Sequence, residues 1–215
     1  MPKAYLNTQE IRRLEGVATN LRDRLLVRVL SHLGCRVSEA LALEVKDIDF
    51  SRRSVTIEHL KTRTKLACPK CGAKLGKSHS YCPKCGERVQ EAVAKAQEHR
   101  RVRTLPLDAE TLDILKDYIR RGGPIRKGDR DLIFGISRHR AWQIVKEYAE
   151  RADLPKIVNT ETGRFHNVSP HRLRDAFAVN ALTTDGSAEG QIFLQQHLGH
   201  QSFNTTARYR KVAGR

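Results

Sequence analysis

The sequence predicts an α+β fold, in which a mainly helical domain carries a small antiparallel sheet and a cysteine-rich insertion. Three observations lead to this prediction. Apolar residues recur at helical spacing through most of the chain, short β-type runs lie in its first half, and two identical cysteine boxes interrupt those runs. At 215 residues the chain is long enough to bury a core without disulfides, and we expect residues 1–215 to form one domain with an insertion.

The first predicted helices precede the sheet. Thr8 is the expected N-cap of the first helix, since apolar residues follow it at helical spacing. A second helix is predicted from about Leu21 to Leu33, and Gly34 ends it. After a short turn, Ser38 is expected to open a third helix.

A strand, a turn and a strand are predicted next, over residues 47–50, 51–54 and 55–60, and residues 101–107 read as a third strand. The composition changes between the second and third strands, where cysteine, glycine and lysine become frequent. We therefore expect residues 66–90 to form an insertion between two strands of one sheet.

The remainder of the chain is predicted to be mostly helical. Asp108 and Ser137 are the expected N-caps of two helices. Helical periodicity returns in three later segments, which are His171–Leu182, Ala188–Leu198 and about Thr205–Tyr209.

The charge balance points to a polyanionic partner. The 40 Lys and Arg residues exceed the 24 Asp and Glu residues, which gives a formal net charge of +16, and nucleic acid is the commonest polyanion. No apolar run approaches the roughly 20 residues of a membrane span, and no secretory signal is visible. Four of the five cysteines lie in the two boxes, which is typical of a metal site in a reducing compartment, so we expect a cytoplasmic protein.

Four separated segments place Arg, His and Tyr in characteristic contexts. They are Gly34-Cys35-Arg36-Val37-Ser38-Glu39-Ala40-Leu41, Pro170-His171-Arg172-Leu173-Arg174, Leu198-Gly199-His200 and Thr206-Ala207-Arg208-Tyr209. In this order they resemble the tyrosine recombinase (phage integrase) family, whose nucleophilic tyrosine stands nine residues after the histidine of the third box, as Tyr209 does here. The resemblance covers the chain from about Leu6 to Val212, apart from the insertion.

The resemblance implies a site-specific recombinase that cleaves and rejoins double-stranded DNA through a 3′-phosphotyrosyl intermediate, with no cofactor for catalysis. The catalytic residues that it implies are Arg36, Lys61, His171, Arg174, His200 and Tyr209, with Glu39 in support. The lysine is expected in the turn after the second strand, to protonate the leaving 5′-oxygen. Lys61 is favoured there, and Lys65 is the alternative.

Elementary chemistry agrees with these roles. A planar guanidinium stays charged and can hold two phosphate oxygens, which suits Arg36 and Arg174, and His200 would add a third donor. A tyrosine is a poor nucleophile unless nearby cations favour the phenolate, which is the expectation for Tyr209. His171 is the expected proton-handling residue, and Glu39 is expected to orient Arg36.

Two positions depart from the family pattern. Many members carry His after the H-x-L-R box and again two residues after the nucleophile, whereas this chain has Asp175 and Lys211.

Six residues follow Tyr209. From this short segment we expect the isolated chain to be a monomer, although recombination itself implies other recombinase protomers in a synaptic complex.

The cysteine boxes predict a structural zinc site. Cys68, Cys71, Cys82 and Cys85 form two C-x-x-C pairs, each followed by glycine, and ten residues separate the pairs. Four thiolates leave no open coordination position, so the metal is expected to be structural. A redox dithiol or an iron–sulfur site is the competing interpretation.

Two other functions remain open from the sequence. A type IB topoisomerase uses the same Arg, Lys, Arg, His and Tyr chemistry, although the H-x-L-R and L-G-H boxes favour a recombinase. A non-catalytic DNA-binding module could keep the fold alone, although the complete set from Arg36 to Tyr209 argues against it.

Overall fold

The computed structural model describes residues 3–76, 79–89, 93–159, 161–200 and 202–214, and for residues 59–65 and 93–101 it describes the backbone only. Helices dominate these residues. They are α1 (Thr8–Gly16), α2 (Leu21–His32), α3 (Val37–Ala40), α4 (Ala109–Arg120), α5 (Arg138–Arg151), α6 (Pro170–Thr184), α7 (Ala188–Leu198), α8 (Phe203–Ala213) and a 3-10 turn at Val45–Asp47.

Two long strands and six short ones form the sheets of the described residues. They are β1 (Ile48–Asp49), β2 (Ser54–Ala67), β3 (Lys74–Leu75), β4 (Val93–Pro106), β5 (Ile125–Lys127), β6 (Arg130–Leu132), β7 (Ile157–Val158) and β8 (Phe165–His166). Strand β2 pairs with β1, with β3 and with β4, while β5–β6 and β7–β8 are separate antiparallel pairs. The predicted α+β class, mainly helical with small antiparallel sheets, is confirmed.

The chain divides into two compact units. One consists of Met1–Ile57 and Arg103–Arg215, and the other of Glu58–Val102. The second unit holds both cysteine boxes, and it includes the greater part of β2 and of β4. Among the described helices, none combines the length and the apolar character that crossing a bilayer requires.

Helix α2 lies at the centre of the larger unit. Leu25, Leu26 and Leu30 are fully buried, as is Val27, so apolar side chains cover more than one face of the helix. This is the pattern of a helix surrounded by others, and α2 packs against α1, α4, α5 and α6. Because α2 and α6 pack against each other, the segments that follow these two helices start from fixed positions.

Side-chain caps explain the starts of several helices, and two of the predicted starts need correction. Asp108 and Ser137 cap α4 and α5, as predicted. The prediction of Thr8 as the first cap was wrong, because Asn7 accepts from the backbone N–H of Glu10 and takes that position. The prediction that Ser38 opens the third helix was also wrong. Arg36 is its N-cap residue.

The ends of the strands also differ from expectation. Strand β2 was predicted to end at Leu60, whereas it runs to Ala67, and β4 was predicted from Arg101, whereas it begins at Val93. Paired strands satisfy each other's backbone groups, so the two partners extend together beyond the apolar stretch that the sequence pattern detects. Helix α7 has the predicted bounds.

A buried ion network ties α2 to α4. Arg28 donates to Glu15 Oε2 at 2.8 Å, to Asp108 Oδ1 at 2.7 Å and to Thr111 Oγ1 at 2.8 Å. Burial alone would raise the pKa of Glu15, but hydrogen bonds from His32 and Arg28 outweigh it and lower that pKa. The network is therefore ionised in the folded protein at neutral pH.

Replacing Arg28 with methionine should destabilise the fold by about 3–5 kcal/mol, because Glu15 would remain as a buried charge without its guanidinium. Arg151→Met is the matched control, since the Arg151–Glu147 pair is 46% and 43% exposed and should cost only about 0–1 kcal/mol. Urea unfolding of both variants measures the difference. Equal unfolding midpoints would contradict the energetic role given to Arg28.

Candidate active site

The buried guanidinium of Arg174 joins three segments of the chain. Arg174 lies in the first turns of α6 and is 3% exposed. Its Nη1 donates to the carbonyl oxygen of Gly34 at 2.6 Å, and its Nη2 donates to that of Leu198 at 2.8 Å. The ends of α2 and α7 are therefore held against the start of α6 by one side chain.

Two glycines give these segments the required backbone shape. Gly34 and Gly199 have φ of +56° and +67°, in the left-handed region that favours glycine. A Cβ at Gly34 would overlap the ring of Phe177, and one at Gly199 would lie 3.0 Å from Arg103 Nη1. Gly199 ends α7 in a left-handed cap, and this turn directs His200 toward Arg174.

His200 is held between Arg174 and α8. Its Nε2 lies 3.1 Å from Arg174 Nη2, and its Nδ1 lies 2.9 Å from Thr206 Oγ1. A guanidinium has no acceptor, so Nε2 must accept and the proton sits on Nδ1. Burial, followed by the charges of Arg174, Arg36 and Arg103, lowers the pKa of His200 to about 4. His200 is neutral at physiological pH.

Glu39 holds two further arginines. Its carboxylate accepts from Arg36 Nη1 at 3.0 Å and from the Arg36 backbone N–H at 2.8 Å. Arg103, from the end of β4, donates to the same carboxylate at 2.6 Å. Burial opposes ionisation of Glu39, but Arg103 and the backbone of Arg36 outweigh it and lower the pKa. The side chain of Arg36 is 37% exposed, which leaves it open to a ligand.

Tyr209 lies on α8 against this cluster. Its ring stacks on the His200 ring, with centroids 6.2 Å apart and an interplanar angle of 16°. Its hydroxyl donates to Asp175 Oδ1 at 2.9 Å. Burial first, and then the negative charge of Asp175, raise the pKa of Tyr209 well above its ordinary value. The tyrosine is a protonated phenol in this state.

Asp175 contacts three other side chains of the site. Besides Tyr209, its Oδ2 accepts from Arg172 Nη1 at 2.9 Å, and its Oδ1 lies 3.8 Å from His171 Nε2. All three α6 residues lie within one helical turn, and Tyr209 reaches them from α8. His171 itself is mostly exposed, with 71% of its side chain accessible.

The four boxed cysteines form a separate cluster that can hold a metal ion. The Sγ atoms of Cys68, Cys71, Cys82 and Cys85 all lie within 4.8 Å of one another. Cys68 and Cys85 are 3.7 Å apart, and Cys71 and Cys82 are 3.6 Å apart. Tetrahedral bonds of about 2.3 Å from sulfur to zinc would place sulfur atoms roughly 3.8 Å apart, so the donor set fits such an ion.

The two cysteine knuckles have the same backbone. In the first, Gly72 N–H donates to Cys68 O and Cys68 N–H to Ala73 O; in the second, equivalent bonds join Gly86, Cys82 and Glu87. Both glycines have positive φ, of 68° and 72°. Backbone N–H groups, of Cys85 first and then of Lys84, lower the pKa of the Cys82 thiol to about 6. The pKa of Cys85 in the same knuckle is instead raised to about 12, because the backbone N–H of Glu87 lowers it less than the Cys71 thiol, burial and the Cys82 and Cys68 thiols together raise it. The second knuckle therefore favours one thiolate, at Cys82.

A model of the phage integrase family matches residues 4–78 and 87–215, which is most of the chain. The chain belongs to the phage integrase family. Relatives include the tyrosine recombinase XerA of Pyrococcus furiosus, which is 27% identical over 226 aligned positions that cover 100% of this chain and 59% of that protein. The XerD recombinase of Corynebacterium glutamicum is 31% identical over 200 positions, covering 90% and 49%. The chain thus spans about half to three-fifths of these relatives.

Solved structures share the phage integrase fold. A crystal structure of the XerA recombinase superimposes with a TM-score of 0.63 at 22% identity, covering 96% of this chain and 57% of that one. The catalytic domain of bacteriophage HP1 integrase gives a TM-score of 0.55 at 20% identity, covering 98% and 89%. At these identities the similarity establishes the fold.

Most of the predicted site residues of this phage integrase domain come together. Arg36, Glu39, Arg174, His200 and Tyr209 are linked by the contacts described above, although they come from four segments of the chain. His200 differs from expectation in one respect. Both of its ring nitrogens are engaged within the protein, so in this state it does not present a free donor.

Lys61 requires a correction of its placement. It was expected in a turn, whereas both Lys61 and Lys65 lie within the long strand β2. Their side chains lie outside the described residues, so the role of Lys61 stays a prediction.

Three residues of the site were missed from the sequence. Arg103 contacts Glu39, Thr206 contacts His200, and Asp175 contacts Tyr209. Only Thr206 lies inside one of the four boxes. Asp175 could have been found, because it follows His171 by four residues on one helix face. No sequence signal joins Arg103 to Glu39, since 64 residues separate them.

His200 should remain neutral down to about pH 5, with its proton on Nδ1, as two-dimensional ¹H–¹⁵N NMR can measure. Arg174→Met removes both a donor and a positive charge, so the pKa of His200 should rise from about 4.

The unfolded chain takes up a proton on His200 near pH 6.5, whereas the folded chain does so near pH 4. The contribution of His200 to the free energy of unfolding is therefore lost as the pH falls from 6.5 toward 4.

Arg151→Met removes a remote guanidinium and serves as the control for that titration. It should leave the pKa of His200 unchanged. A wild-type pKa near the ordinary value of about 6.5, or a pKa that does not respond to Arg174→Met, would contradict the assigned contacts.

Proposed function

We propose that this chain is the catalytic part of a site-specific recombinase, which cleaves and rejoins strands of double-stranded DNA through a 3′-phosphotyrosyl intermediate. The observation that supports this most is the cluster of three guanidiniums, of Arg36, Arg103 and Arg174, beside the hydroxyl-bearing Tyr209. The charge of Glu39 offsets part of this positive charge. Two positive charges remain, which suits a phosphodiester because it carries one negative charge and gains another in the transition state.

Arg174 and Arg36 would bind the phosphate in different ways. Arg174 is fixed by two backbone carbonyls, so its orientation costs little when DNA binds. Arg36 is exposed and is braced by Glu39, which leaves part of its guanidinium for a non-bridging oxygen. Fixed donors of this kind stabilise the charge that builds on those oxygens in the transition state, and no metal is needed for that step.

Tyr209 then attacks phosphorus, and the strand leaves with a free 5′-hydroxyl. Lys61 is proposed as the proton donor to that leaving oxygen, with Lys65 as the alternative. His171 is proposed as a proton-handling residue near Tyr209, in accordance with its position beside Asp175. His200 accepts a hydrogen bond from Arg174 Nη2, and its ring stacks on that of Tyr209, the proposed nucleophile.

Double-stranded DNA and other protomers of the recombinase are the proposed partners. The net charge of +16 supports a nucleic-acid substrate. A structural neighbour with a TM-score of 0.62 is the XerH site-specific recombinase, bound to its palindromic difH substrate in a post-cleavage complex. A cytoplasmic location, expected from the cysteine content, stays a prediction.

Covalent capture tests the proposed activity without a known target site. The chain is incubated with a pool of nicked duplexes of random sequence, and protein-linked DNA is recovered after denaturation. Wild type should yield adducts, Tyr209→Phe should yield none because the attacking hydroxyl is gone, and Arg36→Ala should reduce them on the order of 10²-fold.

Tyr209→Phe should still bind DNA as wild type does, since only a hydroxyl is lost. This separates loss of chemistry from loss of binding. Adducts formed by Tyr209→Phe would refute the proposed nucleophile, and wild type that forms none would count against the recombinase activity.

We also propose that the cysteine cluster holds one structural Zn²⁺. The spacing of the four sulfur atoms and the matching backbone hydrogen bonds of the two knuckles support this assignment. A unit of this size has little apolar core of its own. Among its described residues, the buried members of that core are Cys68, Leu75 and Cys82. Metal binding would therefore contribute to its folding free energy.

Elemental analysis should find one zinc per chain. Removal of the metal with a chelator should unfold the cysteine-bearing unit and leave most of the helical circular-dichroism signal, because the helices belong to the other unit. Cys35→Ser is the control, since this buried cysteine lies outside the cluster and should not change the zinc content. Iron in place of zinc, or no metal, would contradict the proposal.

A further inference from the structure

The hydroxyl of the proposed nucleophile already has a partner in this chain. Tyr209 donates its single proton to Asp175 Oδ1 at 2.9 Å. The hydroxyl lone pairs therefore point away from Asp175, and one of them is available to attack phosphorus. Where many family members carry a histidine directly after the H-x-L-R box, this chain has a carboxylate.

The Asp175 carboxylate is held in place from its other side. Arg172 Nη1 donates to Oδ2 at 2.9 Å, which leaves Oδ1 facing Tyr209. The Asp175 side chain is 14% exposed and that of Arg172 is 21% exposed, so solvent competes weakly for this pair. Both residues lie on the rigid helix α6, at i and i+3.

The charged and titratable groups around the Tyr209–Asp175 contact come from α6, α8 and the turn after α7. The charged ones are Arg172 and Arg174, and the other titratable ones are His171, His200 and the phenol itself. The Arg172 and Arg174 guanidiniums favour a phenolate, while Asp175 opposes it. A proton that leaves Tyr209 for Asp175 removes that opposing charge at the same moment. The two arginines then stabilise the phenolate against burial alone.

We propose that Asp175 is a further catalytic residue, whose Oδ1 accepts the Tyr209 proton during attack on the DNA phosphorus. This inference rests on the recombinase function proposed above. In the step, the Tyr209 oxygen forms a bond to phosphorus, the bond from phosphorus to the 5′-oxygen breaks, and the phenol proton moves to Asp175. The leaving oxygen takes its proton from a separate donor. In rejoining, Asp175 returns its proton to Tyr209.

His171 has a different relation to the phenol. Its Nε2 lies 3.8 Å from Asp175 Oδ1, the same oxygen that accepts from Tyr209. In this inference His171 therefore acts on Tyr209 through the carboxylate, as a positioning residue, and the proton-handling role proposed for it above passes to Asp175. Arg172 is the second positioning residue, because it fixes which carboxylate oxygen faces the phenol.

The test uses the full chain and a duplex recovered by covalent capture with wild type. The scissile phosphate carries sulfur in place of the bridging 5′-oxygen, because a thiolate leaves without a proton. The rate of adduct formation then reports deprotonation of Tyr209 without the contribution of the acid. Rates are measured between about pH 7.5 and 9.5, where ordinary histidines are neutral.

Asp175→Asn keeps an oxygen beside the phenol and removes the proton acceptor. Its rate should fall about 10²-fold at the lower pH, and should rise about tenfold per pH unit, because the phenolate must now form beforehand. Asp175→Ala should behave likewise, and either variant is sufficient if the other fails to fold. Asp175→Glu retains a carboxylate, so its pH dependence should stay as shallow as that of wild type.

Asp117→Asn is the matched control, since Asp117 forms the same i,i+3 pair, with Arg120 on α4, but has no tyrosine partner in the described structure. It should leave both rate and pH profile unchanged. Unchanged kinetics in Asp175→Asn or Asp175→Ala would overturn the role of Asp175 while leaving the recombinase function intact. Failure of the recombinase function itself would instead appear as wild type that forms no adducts, and failure of the nucleophile assignment as adducts formed by Tyr209→Phe.

NMR of the DNA-free chain gives a second, independent measurement. In protein labelled at tyrosine ¹³Cζ, Asp175→Asn should lower the pKa of Tyr209, because a negative charge and a charged acceptor are lost together. An unaltered Tyr209 pKa in Asp175→Asn would show that the contact does not exist in solution, and would overturn the proposal.

Discussion

The site depends on burying the Arg174 guanidinium. A buried cation requires acceptors, and this one uses the carbonyl oxygens of Gly34 and Leu198, which are backbone groups left over at the ends of two helices. Both acceptors are neutral, so the positive charge is solvated without being cancelled. The arrangement fixes the guanidinium and leaves its charge available to a phosphate, which an ion pair with a carboxylate would not do.

The neighbouring groups follow from this constraint. His200 lies beside a fixed cation and is partly buried, so it is neutral and its Nε2 accepts from Arg174. Arg36 and Arg103 share the carboxylate of Glu39, which allows two more guanidiniums close to the first. The resulting cluster has a net positive charge. Binding of a phosphodiester would relieve the repulsion among these cations, which joins substrate binding to the stability of the site.

The proposed nucleophile, Tyr209, is held as a neutral phenol. Tyr209 is kept protonated by burial and by Asp175, although guanidiniums lie nearby. A free phenolate would be attracted to the cations of the site and would occupy the place of the phosphate. The hydrogen bond to the Asp175 carboxylate holds the phenol beside the cations and out of the place of the phosphate. Helix α6 carries both Asp175 and Arg174. One helix thus carries both the carboxylate that accepts from the phenol and the guanidinium proposed to bind the phosphate.

The sequence by itself determined the fold class, the four boxes, most of the helices and the paired cysteines, because each depends on residues close together in the chain. Helix periodicity, capping side chains and the C-x-x-C spacing are local patterns. Only the tertiary structure decided the contacts of Arg103 with Glu39 and of Asp175 with Tyr209, and the protonation of His200. These depend on side chains brought together from distant segments, and on burial and charge at those places, which residue spacing does not encode.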